Sequence, residues 1–226
     1  MKRLLLFLAV ALAGCLPRTQ GELQNGGFTY FCAGEDNLAC RNDLFDASGV
    51  PPAIAVGTHF DLQFSPPILH TDTITPVASL EPAAPGILAE EPSHGVDTTG
   101  FRFIAPGTVA VLAKSAGGDV VDFVHVTGAA IDHIALVNRQ GNEPEAITLT
   151  GSGDTLEAIP RDDHFRTLAG ALSYTWASSD EQVVTTSPSF ESNEVGLVAV
   201  GPGTATITVT VMDKQASIAV TVGGAP

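Results

Sequence analysis

"LVAVGPGTATITVTVMDKQASIAVTVGG", residues 197 to 224, aligns without a gap on "FRFIAPGTVAVLAKSAGGDVVDFVHVTG", residues 101 to 128, at an offset of 96. Pro106-Gly107-Thr108 falls on Pro202-Gly203-Thr204, Gly100 on Gly196, Val124 on Val220 and Val126 on Val222. Upstream, at the same offset, Pro92-Ser93 meets Pro188-Ser189 and Gly57 meets Gly153. A period this long marks two copies of one domain, because solenoid repeats run only about 20 to 50 residues.

In each copy the residues after the Pro-Gly-Thr string alternate with the two-residue period of a strand that buries one face. Ala205, Ile207, Val209 and Val211 face one way and Thr204, Thr206, Thr208 and Thr210 the other. Thr suits the outer face, since its branched β-carbon favours extended backbone while its hydroxyl meets water. Ile218, Val220 and Val222 continue the inward face in the next strand, with "MDKQ" (212 to 215) as the hairpin turn. In the first copy Val109, Val111 and Ala113 take that place and "SAGGD" (115 to 119) turns the chain. Asp122 shares the phase of Val124 and Val126, so either a bulge re-phases the strand or Asp122 lies at its wet end. The Pro-Gly pairs fit tight turns, proline fixing φ at the first central position and glycine accepting a positive φ at the second. Short strands punctuated in this way predict an all-β chain of tandem Greek-key β-sandwiches, each of about 100 residues.

Composition agrees. The 226 residues include 23 Gly and 15 Pro, with abundant Val, Thr and Ala and little helical spacing. The formal charge of −15 repels phosphate backbones and weighs against nucleic acid as a partner.

"YTWASSDEQVV" (174 to 184), "GLVAVGPGTATITVTV" (196 to 211) and "SIAVTV" (217 to 222) together resemble the bacterial immunoglobulin-like domain of group 2. The resemblance rests on a W-x-S-S-D segment, a glycine-to-valine segment that contains Gly196, Pro202, Gly203 and Thr204, and a closing valine strand. It implies an immunoglobulin-like sandwich with Trp176 as a buried core indole and Ser178, Ser179 and Asp180 turning the chain after it. The first copy departs from the pattern, with Leu80 in place of the tryptophan and "EPAAPG" in place of the serine-rich turn, and reads as a diverged sibling.

The N-terminal residues give an address. Met1-Lys2-Arg3 is followed by an apolar run from Leu4 to Ala13, too short for a membrane span, which needs about 20 residues. "LAGC" (12 to 15) then resembles a bacterial lipobox, which implies a signal peptide over 1 to 14, a lipid on Cys15 and, with Leu16 following it, the outer membrane. Each buried acyl methylene contributes about 0.8 kcal/mol to such an anchor. Cys32 and Cys40 remain as an even pair in an oxidising compartment, and a disulfide between them would contribute roughly 2 to 3 kcal/mol. A metal site there would need more ligands than two thiols. The expected order is a lipidated tether (15 to 25), a disulfide-stapled hairpin segment (26 to 48), a diverged immunoglobulin-like domain (49 to 127) and a group 2 domain (128 to 224).

Chemistry is thinly written. His59-Phe60-Asp61, His70-Thr71-Asp72, Asp132-His133 and Asp162-Asp163-His164 put carboxylates beside imidazoles, but none shows the helical ligand spacing of a zinc site. "GSGDT" (151 to 155) lacks the five-residue elbow of a hydrolase serine. Calcium would draw on Asp119, Asp122, Asp132, Asp162 and Asp163, which are scattered. The expectation is a non-enzymatic envelope lipoprotein without a cofactor, bound to the membrane through Cys15 and serving adhesion to an envelope protein or surface polysaccharide. The alternatives are a structural spacer and, more remotely, a hydrolase.

Overall fold

The computed structural model describes residues 18–32, 49–67, 75–150, 153–189 and 192–223, and these are all strand, turn or irregular. The first sandwich is built from β1 (Thr19–Gln20), β2 (Gly27–Cys32), β3 (Ile54–Ala55), β4 (His59–Ser65), β5 (Val77–Pro82), β6 (Leu88–Glu91), β7 (Thr99–Phe103), β8 (Gly107–Ser115) and β9 (Val120–Ala129). The second uses β10 (His133–Asn138), β11 (Ala146–Leu149), β12 (Asp154–Arg161), β13 (Tyr174–Ser178), β14 (Val184–Pro188), β15 (Glu194–Ala199), β16 (Gly203–Val211) and β17 (Lys214–Val222).

Both copies have one strand order. In the first, β1-β2-β4-β7-β6 faces β3-β9-β8-β5; in the second, β10-β12-β15-β14 faces β11-β17-β16-β13. Leaving out β1, these are the two sheets of an immunoglobulin-like sandwich, each with a short strand (β3 or β11) running parallel to the last one. The chain is therefore a tandem of immunoglobulin-like β-sandwiches, and the two stretches after the Pro-Gly pairs, β8 and β16, hold the same place. The inward face is as expected, with Ala205, Ile207, Val209 and Val211 at most 1% exposed. Gly107 and Gly203 open these strands at φ 151 and 148, positive in both copies.

The alignment needs two corrections. Upstream, Asp61 lies opposite Gly100 as Thr155 lies opposite Gly196, so Gly153 matches His59 and not Gly57. Ala205 pairs with Val220 but Val109 pairs with Val126, so Val126 corresponds to Val220 and Val124 to Ile218, a slip of two residues in the last strand. Its source is local. Val211 and Lys214 flank a two-residue turn, with Met212 at φ 53, whereas Ser115 and Asp119 flank a three-residue loop with Gly118 at φ 87. A bulge at Val121 adds the second extra residue. Two insertions preserve the inside-outside phase, where one would have turned the strand over. The cross-strand pairs Thr108–Thr127 and Thr204–Thr221, each with hydroxyls 3.0 Å apart, mark the true correspondence.

Asp122 keeps the inward phase and is fully buried, so it lies neither at a wet end nor beyond the bulge. Its carboxylate accepts the amides of Leu23 and Asn25 at 2.9 and 2.8 Å and so fastens the turn between β1 and β2. The stretch read as a tether thus has its residues 19 to 25 held against the first sandwich, because a buried carboxylate needs donors. The segment expected as a disulfide-stapled hairpin contributes a strand to that sandwich, as β2 pairs with β4 from Gly27↔Ser65 to Cys32↔Phe60.

The junction is shared. Along β3 the side chains alternate between cores: Ile54 packs among the first sandwich's buried residues, its neighbours Ala53 and Ala55 among the second's. Ala169 returns the exchange by packing in the first core, and the Ala55 amide and Ala53 carbonyl bond to Ala169 at 2.8 and 2.9 Å.

Candidate functional site

The outer face of the first sandwich's five-stranded sheet carries a polar cluster. His59 and Asp61 are two apart on β4 and so share that face, while Phe60 and Leu62 point into the core. Glu91 ends β6, Arg102 sits on β7 opposite His59, and residues 92 to 98 link β6 to β7 over the top. Gly100, opposite Asp61, makes room: a β-carbon there would lie 2.7 Å from the carbonyls of Glu91 and Pro92 and 2.9 Å from the His59 ring.

Asp61 is 2% exposed and organises the loop. Its Oδ2 accepts the amides of His94 and Gly95, both at 3.0 Å, and the hydroxyls of Ser93 and Thr98, both at 3.2 Å. Burial alone would raise its pKa, but the bonds from His59, the His94 amide and Ser93 outweigh it and hold the carboxyl below its usual range. Oδ1 is left to face His59 Nε2 at 3.0 Å. His94, exposed on the loop, brings its Nδ1 to 2.9 Å from the same Nε2. On the far side of the ring, His59 Nδ1 meets Glu91 Oε2 at 3.1 Å, and Glu91 pairs with Arg102 at 2.6 Å. The His59 bond, reinforced by Arg102, holds Glu91 below the usual carboxylate range.

Ser93, Asp61 and the histidines converge, yet in the wrong order for a serine nucleophile. The Ser93 hydroxyl bonds to the Asp61 carboxylate and contacts Thr98, whereas a triad needs it on an imidazole nitrogen. The arrangement gathers ligand atoms instead: His59 Nε2, Asp61 Oδ1 and His94 Nδ1 lie within 4.8 Å of one another.

A second group among the described residues, Asp162, Asp163 and His164, is a turn built around its own backbone. Asp162 Oδ1 accepts the amides of His164 and Arg166, and Oδ2 takes the Arg166 guanidinium at 2.7 Å, so both oxygens are occupied. Of the calcium candidates, Asp122 is committed to amides of the first sandwich, and Asp132 contacts its neighbour His133 at 3.0 Å.

Of the other expected residues, Cys32 ends β2, while Cys15 and Cys40 lie outside the described residues, as do His70 and the Gly151-Ser152 pair. Trp176 lies on β13 and Gly196 on β15; Pro202 precedes β16, which Gly203 and Thr204 open. Trp176 is half-buried against the second core, and its Nε1 donates to the Ser192 carbonyl at 3.3 Å. It is not enclosed, because β13 is an edge strand. His94 was not singled out from sequence; the signal was His59 and Asp61 at i and i+2, the strand counterpart of a helical ligand pair.

No family model matches the chain, and no curated protein does. Among solved structures it is similar to domains 4 and 5 of the S-layer protein SbsC (21% identity, TM-score 0.35), covering 65% of this chain and 76% of that one. It covers only 23% of a longer SbsC chain. Invasin, a bacterial integrin-binding protein, is similar at 18% identity and TM-score 0.32, over 76% of this chain and 39% of that one. A glycosyl hydrolase family 2 member from Bacteroides cellulosilyticus is similar at 12% identity and TM-score 0.33, over 87% of this chain and 28% of that one. The fold assignment itself rests on the strand order of this chain.

Proposed function

We propose that this protein is a non-enzymatic lipoprotein of the bacterial cell envelope, anchored through Cys15, whose tandem immunoglobulin-like sandwiches bind an envelope protein or a surface polysaccharide. One observation carries the reading: two sandwiches of the same strand order are joined into a single unit, an architecture that presents loops and sheet faces for recognition. The lipobox-like "LAGC" supports the anchor, and the "WASSD" and "GPGTATITV" strings support a group 2 second domain. A Cys32–Cys40 disulfide is part of the proposal, supported by the even pair of cysteines that remains once Cys15 is lipidated.

Metabolic labelling with a palmitate analogue should mark the wild-type chain and leave Cys15→Ser unmarked; equal labelling of both would defeat the anchor. Protease treatment of intact cells then tells the outer surface from the periplasmic face. Crosslinking of the full chain in cells should capture one recurrent envelope protein or polysaccharide.

A second reading, a spacer without its own ligand, is favoured by the scatter of exposed apolar side chains such as Val96, Phe165 and Val200, which form no single docking patch. Crosslinking that yields no recurrent species would support it.

A further inference from the structure

We propose that His59, Asp61 and His94 form a binding site for a divalent transition-metal ion of the zinc class. The ligand atoms are His59 Nε2, His94 Nδ1 and Asp61 Oδ1, with Nε2 at 3.0 Å from the carboxylate oxygen and 2.9 Å from the second imidazole. Ligands around tetrahedral zinc lie about 3.3 Å apart, given zinc–nitrogen bonds of about 2.0 Å, so an opening of a few tenths of an ångström admits the ion. His94, on an exposed loop, supplies that movement.

Hydrogen bonding alone serves this arrangement poorly. His59 Nε2 carries either one proton or one lone pair, yet two atoms face it at bonding distance. A cation between the three atoms uses a lone pair from each. The surroundings match what a metal-bound histidine requires. Glu91 faces the other ring nitrogen of His59 and is itself held by Arg102, the carboxylate–histidine support that fixes tautomer and ring orientation. Four donors occupy Asp61 Oδ2 and leave Oδ1 free to turn toward the ion. The solvent side remains open for a fourth ligand.

The duplicated sheet shows that the fold does not demand these groups. Register places Gly196 opposite Thr155 in the second copy, where Gly100 stands opposite Asp61 in the first. Gly153 accordingly stands for His59, Thr155 for Asp61, Ser187 for Glu91 and Val198 for Arg102. The sheet keeps its shape with none of the four. Two nitrogen ligands also set the metal class, since calcium and magnesium take oxygen.

The full chain, purified in detergent after chelation, would be titrated with zinc chloride by calorimetry and with cobalt(II) by visible absorption. One equivalent of zinc should bind, and cobalt should give the intense visible bands of a tetrahedral site. His94→Ala, on the exposed loop, should weaken zinc binding at least about tenfold and abolish those bands, with unfolding in the absence of metal unchanged. His164→Ala should bind as wild type, and millimolar calcium should not compete. Absence of zinc binding at 100 µM metal, or an affinity that His94→Ala and His59→Ala both leave unchanged, overturns the site. The outcome is independent of what the module adheres to.

Discussion

The two sandwiches fold alike and are filled differently. The first core is a cluster of rings in which Phe60 lies 5.6 Å from Tyr30 and 5.9 Å from both Phe101 and Phe103. The second is aliphatic, with Leu156, Leu197, Ile207 and Val209 at its centre. The outer sheets diverge further, with charged groups and imidazoles on one and Gly153, Thr155 and Val198 on the other. The difference teaches that strand order follows from alternation and turn placement, which tolerate any apolar filling of suitable volume. What each copy does is left to the residues that alternation does not constrain.

Substitutions at matched positions can break or sharpen this comparison. Trp176, the chain's one tryptophan, reports on the second sandwich by fluorescence, while circular dichroism reports on both. The largest effect is expected at Asp122, whose inward place in the second copy belongs to Ala216. Asp122→Ala removes the side-chain acceptor of three amides, those of Leu23, Asn25 and Phe123, and should destabilise the first sandwich by about 3 kcal/mol in denaturant melts. A loss under about 1 kcal/mol would show that the N-terminal turn is held by other means.

Gly100 and Gly196 come next. Gly100→Ala drives a methyl into two carbonyls and should cost about 2 kcal/mol, whereas Gly196→Ala meets Ser187 at an ordinary 3.5 Å and should change stability by no more than about 0.5 kcal/mol. Equal effects would remove the distinction drawn between the two outer faces.

The pH dependence separates a loop of the second copy. Burial raises the Asp162 pKa, but the Arg166 amide, its guanidinium and the His164 amide outweigh it and hold the carboxyl low. A depressed folded pKa stabilises above the ordinary value of about 3.9 and loses that contribution as pH falls through the folded one. Below about pH 4, wild type should therefore lose stability more steeply than Asp162→Asn, as read by Trp176 fluorescence. Parallel curves would count against the assignment. The smallest effect is a control: Thr108→Val and Thr204→Val should each change stability by about 0.5 kcal/mol or less, and by the same amount in both copies.

The hairpins and the duplication were legible because alternation and tight turns are local. Asp122 could be placed in phase from sequence, but its burial could not, since its donors lie 97 and 99 residues away. The place of β2 was hidden for another reason: the offset that relates the later strands would put the counterpart of β10 near residue 37, and the chain supplies its strand ten residues earlier. The His59–His94 contact spans 35 positions and crosses a loop whose shape comes from Asp61, so no short window contains it. Trp176 was identified by family pattern, but edge position governs how deeply an indole sinks.

Because β3 lends alternate side chains to the two cores, no seam exists along which the halves separate cleanly. Severing the polypeptide after residue 129 would strip Ala53 and Ala55 of their cover and take Ala169 out of its socket. Loss or transfer of either half alone would carry a folding defect, so the pair is expected to be exchanged as one piece.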